Sequence, residues 1–222
     1  MPRPLGCLAA TVVLLLAVPS AAGQAEPLPL DDAAIRGGAL VALDDGWSFS
    51  AGNSERPPAD LAAAVPVGTQ LRRDGVPDGW DGDGWFVRDL AVPEGLVGVP
   101  TAFVFFHRGV VTVWVDGEEL GHRGNAVGDT AAGDDWARPP ASLPLPLTFE
   151  RAGVHRLAVH FRNPALADHH RAGALAGFTA RFGKAEAVAA SRLAEVKRNS
   201  MMLWLFTGIF VSFGVLHLCL WG

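Results

Sequence analysis

Chemistry in this chain is offered chiefly by aromatic, basic and amide side chains set among short β-type runs. Trp80, His122, Arg123, Trp136, Asn163, His169 and Arg171 fall where such runs end, whereas Arg88 sits inside one, in GDGWFVRDLAV. Indole faces stack on sugar rings or planar ligands, and a guanidinium pairs with a carboxylate through parallel hydrogen bonds. These eight residues are the candidate ligand contacts, and the chemistry they support is binding of a small molecule, a carbohydrate or a carboxylate. Catalysis requires a nucleophile beside a base, or paired carboxylates in one cleft. The spacing shows neither, so no catalytic residue is expected.

Two acidic clusters invite a metal reading. Asp78, Asp81 and Asp83 of PDGWDGDGW alternate with Gly, as do Asp129, Asp134 and Asp135 more loosely, but the EF-hand spacing and its closing Glu are missing. Turn chemistry accounts for them better. Asp168, His169 and His170 are adjacent, yet neighbouring side chains on a strand point to opposite faces and no third ligand is identifiable. No metal and no cofactor are expected.

The elements that must position these residues are strands. Runs rich in β-branched and aromatic residues recur between Gly, Pro and Asp clusters, the pattern of an all-β sandwich or barrel. The spacing predicts strands at 39–43, 46–50, 64–67, 84–92, 101–107, 110–115, 118–122, 143–147, 154–163 and 177–182. In VVTVWVDGEELGH, Asp116 and Gly117 separate two strand-like runs, and Asp-Gly supplies the positive φ angles of a two-residue hairpin turn. In VHRLAVHFRN, His155, Leu157, Val159 and Phe161 alternate with Arg156, Ala158, His160 and Arg162, so one face is apolar and the other mostly polar. Phe86, Leu90 and Val92 share an apolar face with Arg88, which must find a partner or border solvent. Trp47, Trp85 and Trp114 lie within strand patterns and read as core. Residues 184–200, KAEAVAASRLAEVKRNS, change to helical spacing, and no Gly or Pro lies between Gly183 and Gly208.

Both ends of the chain are apolar. The first residues join a basic Arg3 to an apolar run from Leu8 to Val18 and then to small residues, which reads as a signal peptide cut after Ala22 or Ala25, with an uncleaved anchor as the alternative. Met201 to Gly222 has no charged side chain, and roughly 20 helical residues cross a hydrocarbon core of about 30 Å. A buried core helix is the competing reading. Trp204 and Trp221 suit an interfacial aromatic belt, and His217 is either a polar site at membrane depth or a snorkelling side chain. Cys7 and Cys219 both fall in these apolar ends, so no disulfide holds the region between them. A net charge of −5 over 222 residues provides no basic patch for nucleic acid. The expected organisation is a signal peptide at 1–22, an unpatterned leader at 23–36, an extracytoplasmic domain at 37–183, a helical stalk at 184–200 and a membrane span at 201–222.

The order of LDDGWSFSAG, AVPVGTQL, GDGWFVRDLAVP, VWVDGEELG and HFRN resembles the outer domain of bacterial seven-transmembrane receptors with diverse intracellular signalling modules. The run LFTGIFVSFGVLHLCLW is similar to their first span, with Gly208, Ile209, Phe210, Leu216, His217 and Leu218 at the matching positions. The WFVR and VWVDGEELG strands also resemble the sugar-binding domain of family 2 glycoside hydrolases. The resemblance implies a mostly β fold, a galactose-binding-like jelly-roll β-sandwich followed by a helical stalk and one transmembrane helix. It further implies a non-catalytic sensor in the cytoplasmic membrane, its outer domain on the periplasmic or extracellular side. Its partners would be a small-molecule ligand of carbohydrate type, membrane lipid, and a second copy meeting it through stalk and span. A carbohydrate-binding or adhesion domain tethered without signalling is the alternative.

Overall fold

The computed structural model describes residues 26–59, 65–67, 69, 80–107, 109–124, 144–163, 166–171 and 177–221. The elements in chain order are β1 (Leu28–Pro29), α1 (Asp32–Arg36), β2 (Val41–Ala42), β3 (Trp47–Ala51), β4 (Val65–Val67), β5 (Asp83–Val92), β6 (Thr101–His107), β7 (Val110–Val115), β8 (Glu118–Arg123), β9 (Leu145–Leu147), β10 (Gly153–Arg162), α2 (Leu166–Arg171), β11 (Phe178–Lys184) and α3 (Ala185–Trp221). One sheet runs β4-β3-β5-β10-β7-β8 with β1 added in parallel to β5, and a second runs β2-β11-β6-β9. The fold is thus mostly β with a long apolar C-terminal helix.

The period-two pattern decides which residues face inward. Phe86 and Leu90 on β5 and Leu157, Val159 and Phe161 on β10 meet Phe103 and Phe105 on β6 and Phe178, Ala180 and Phe182 on β11 in one buried cluster between the sheets. The rings interlock edge to face, as where Phe178 meets Phe86 at 5.1 Å and 84° and Trp47 at 5.6 Å and 84°. Asp116 at φ 51 and Gly117 at φ 84 make the tight turn between β7 and β8 that their types predict. That turn is pinned to β10, since His155 Nδ1 lies 2.7 Å from Asp116 Oδ2 and the Arg156 N–H donates to Asp116 Oδ1 at 2.9 Å.

Three expectations are corrected. Residues 26–36 are part of the fold: Leu28 pairs with Leu90, Asp31 caps α1 by accepting from the Ala34 N–H at 3.0 Å, and Leu30 and Ile35 are buried in the core. Pro27 and Pro29 disguise this, because an edge strand of two residues tolerates proline and shows no alternation. Asp168, His169 and His170 lie on the helix α2, so the strand argument about their side chains does not apply. The third concerns Trp85 and Trp114. Trp85 is buried, but both rings point away from the core and form a separate cluster on the outward face of the larger sheet. The expected signal peptide lies outside the described residues.

α3 begins at the residue after the last of β11 and runs unbroken for 37 residues. Its first two turns lie on the outward face of the four-stranded sheet. Val188 is fully buried against Ala102 and Val104, and the Arg192 guanidinium sits 5.2 Å above the Phe106 ring while pairing with Glu195 at 2.9 Å. From Met201 onward the side chains described are exposed, and the helix is long and apolar enough to cross a membrane.

Candidate ligand-binding surface

The pairing of β5 with both β3 and β10 fixes what stands on the outward face of the larger sheet. One lateral row runs Ser50, Trp85, His160, Thr112 and His122, each opposite the next on an adjacent strand. The Trp85 and His160 rings stack at 4.6 Å and 9°, and Trp114 meets Trp85 edge-on at 6.3 Å. Asp83 closes the row at its rim. A carboxylate only accepts, so His160 donates Nε2–H to Asp83 Oδ1 at 2.6 Å, and Arg162 Nε lies 3.3 Å from Asp83 Oδ2.

Beneath these groups, Trp85, Val87 and Ala158 are each 2% exposed. The Nε1–H groups of Trp85 and Trp114 are buried and have no acceptor among the described residues. Such donors cost about 1–3 kcal/mol each when left unpaired, and since both are closed to solvent, a ligand oxygen meets them only if the covering side chains shift. The aromatic faces of Trp114 and His160 beside the Asp83 carboxylate and the Arg162 guanidinium form a set that suits a hydroxyl-rich small molecule.

The residues named from sequence are distributed differently. Trp80 is 6% exposed and packs edge to face on Phe49 and Phe86 inside the core, so it has no open face for stacking. Arg88 faces inward as its spacing predicts, and the guanidinium reaches out beside Gly46; burial lowers its pKa below the ordinary value, partly offset by Asp45. Its Nε is buried without a hydrogen-bond partner. Asn163 is buried and holds β5 to β10, its N–H donating to the Gly82 carbonyl at 2.6 Å. Arg123 is tied to backbone, donating to the carbonyls of His122 at 2.7 Å and Pro144 at 3.2 Å. His122 is exposed at the edge of the outward row, and Arg171 is exposed on α2, paired with Asp168 at 3.0 Å. His169 lies on α2, while its side chain and Trp136 fall outside the described residues.

Trp80, His122, Arg123, Asn163, His169 and Arg171 therefore gather at one end of the two sheets, where β5 and β11 begin and β6 and β10 finish. Asp83, Thr112, Trp114, His160 and Arg162 are the residues that sequence reasoning passed over. Their signal was present in the polar alternation of β10, but the pairing that brings Asp83 to His160 spans about 75 residues.

No protein-family model and no curated protein matches the chain. Among solved structures it is similar to a Faecalibacterium prausnitzii beta-glucuronidase at 14% identity and TM-score 0.45, over 66% of this chain and 31% of that one. It is also similar to Bifidobacterium dentium beta-glucuronidase complexed with coumarin-3-O-glucuronide, at 16% identity and TM-score 0.44, over 66% and 30%. A third is a GH2 beta-galacturonidase from Eisenbergiella tayi bound to galacturonate, at 14% identity and TM-score 0.41, over 65% and 24%. The chain thus spans less than a third of each of these proteins.

Proposed function

We propose that this chain is the extracytoplasmic ligand-sensing module of a bacterial membrane receptor, a non-catalytic domain of the jelly-roll class. It binds a small hydroxyl- or carboxylate-bearing ligand, carbohydrate by class, on the outward face of its larger sheet. α3 then carries the bound state into the bilayer as a shift between two arrangements of the helix.

The observation that carries this reading is the junction of β11 and α3. No linker residue separates Lys184 at the end of the strand from Ala185 at the start of the helix. Val188 and Arg192 also hold the first turns against the sheet, so a displacement of β6 or β11 displaces the helix. A flexible tether would absorb the same movement. Gly208 and Ser212, one turn apart, supply the small-residue face on which the span of a second copy would pack. A tethered carbohydrate-binding domain without signalling is the second reading, favoured by the cluster of Trp114, His160, Asp83 and Arg162 alone.

Insertions beyond the docked turns separate the two. Two residues added after Arg198 rotate everything beyond them by about 200°, whereas seven restore the phase to within about 20°. In a receptor chimera with a cytoplasmic kinase reporter, the two-residue insertion should alter output strongly and the seven-residue insertion weakly. Equal outputs would reject the rigid-helix mechanism and leave the tethered domain.

A further inference from the structure

The direction in which α3 crosses the smaller sheet fixes which end of the outer domain faces the bilayer. Near its start the helix buries Val188 against Ala102 and Val104, and one turn later Arg192 lies over Phe106. The helix therefore travels along β6 in the same sense as the strand, from the Thr101 end towards the His107 end. It passes the end of the sheet and reaches Met201 about 13 Å beyond Arg192. The chain does not leave from the end where α3 begins; it doubles back, so the end where β6 and β10 finish is nearer to any membrane that Met201–Trp221 crosses.

The two ends differ in charge as that orientation requires. The end away from the span exposes Asp31, Glu94, Glu118 and Glu150 against Arg36 and Arg151. Among the described residues, the near end balances Arg56, Arg123, Arg162 and Arg171 against Glu55, Asp81, Asp83 and Asp168, and Lys197 and Arg198 on α3 add two positive charges close to its level. Anionic headgroups attract basic residues held within a Debye length of the surface and repel acidic ones.

We propose that the near end of the outer domain, with Arg56, Arg162 and the α2 residue Arg171, rests against the headgroup layer of the bilayer that holds α3. This rests on the reading of Met201–Trp221 as a membrane span. The rim of the outward row, Asp83 with His160 and Arg162, lies at the same end, so a ligand there is met at the membrane surface.

The test uses the full chain in phosphatidylcholine–phosphatidylglycerol vesicles. An environment-sensitive fluorophore is placed at Arg171→Cys or at Glu118→Cys, with Cys7 and Cys219 changed to Ser, and headgroup nitroxide lipids serve as quencher. Residue 118 lies about 17 Å further along β8 from its near-end residue Arg123. Quenching several-fold stronger at position 171 than at 118 is expected, and equal or reversed quenching overturns the proposal. Fluorophore on the native Cys219, quenched by acyl-chain nitroxides, checks the span separately. If Cys219 is not quenched, the span reading falls, and this proposal falls with it. Val188→Asp, which breaks the dock, should remove the difference between 171 and 118. A difference that survives in that variant would show that the dock does not set the orientation.

Discussion

The outward faces of the two sheets solve the same problem in opposite ways. Both carry apolar residues that strand alternation places away from the core: Ala102, Val104 and Phe106 on one, Trp85, Val87 and Ala158 on the other. The smaller sheet lays the start of α3 over its patch and buries Val188 there completely. The larger sheet keeps its patch beneath Trp114 and His160, leaving two indole N–H groups without an acceptor. A helix satisfies its own backbone and can seal an apolar face at no polar cost. The aromatic lid instead leaves Asp83 and Arg162 partly exposed at its edge. On the proposed function, the first face couples and the second binds.

The largest effect should come from charging the coupled face. Val188→Asp places an unpaired carboxylate in a fully buried contact, which costs more than about 3 kcal/mol or detaches the helix from the sheet. Urea unfolding in detergent micelles, followed by tryptophan emission, reads the loss. A change below about 1 kcal/mol would mean that α3 is not seated on the sheet.

Acid should strain the smaller sheet next. Burial lowers the His107 pKa to about 4, with a contribution from Arg123, against the opposing hydrogen bond of its Nδ1–H to the Gly109 carbonyl at 2.9 Å. The unfolded chain therefore takes up this proton first. Stability from His107 is complete above about pH 6.5 and is lost as the pH falls towards about 4, a loss on the order of 3 kcal/mol. His107→Asn keeps a donor for Gly109 but cannot titrate, so unfolding of that variant should show a shallower dependence between those pH values.

A smaller effect is expected on the outward face of the larger sheet. Asp83→Asn weakens the contacts to His160 and Arg162 and should cost about 1–2 kcal/mol, because the carboxylate is only partly buried. If this face takes the ligand, calorimetric titration with uronic acids and neutral sugars should show a larger loss of affinity than of stability. Wild-type affinity in Asp83→Asn would move the site elsewhere, Arg88 being the next place to look.

Much of the frame could be read from residues alone. The Asp116-Gly117 turn, the alternation of β10 and the unbroken helical run after Gly183 are local signals, and each is realised in the structure. Local patterns do not state which strands become neighbours. Trp85 reads as core because a tryptophan within an alternating run is usually inward; it is buried, but on the other face, where His160 from a distant strand covers it. Trp80 errs the other way. It follows Gly and Asp residues typical of a loop, yet its ring fills the space among Phe49, Phe86 and Phe161. The helix spacing of Ala185, Val188, Ala189 and Arg192 was legible, but the surface it packs on is specified only once β6 and β11 are side by side.

The place of β11 sets the timetable on which the chain can be made. Its pairing joins Arg181 to Ala42, residues about 140 positions apart. At a synthesis rate of about 5–20 residues per second, β2 waits roughly 7–28 s for its neighbour. Until β11 arrives, Phe103 and Phe105 on β6 lack the neighbouring strand that brings Phe178 and Phe182 into their cluster. On the proposed export route the domain would close only as the apolar tail reaches the translocation machinery. Escape of the tail into the bilayer and completion of the core would then be nearly simultaneous.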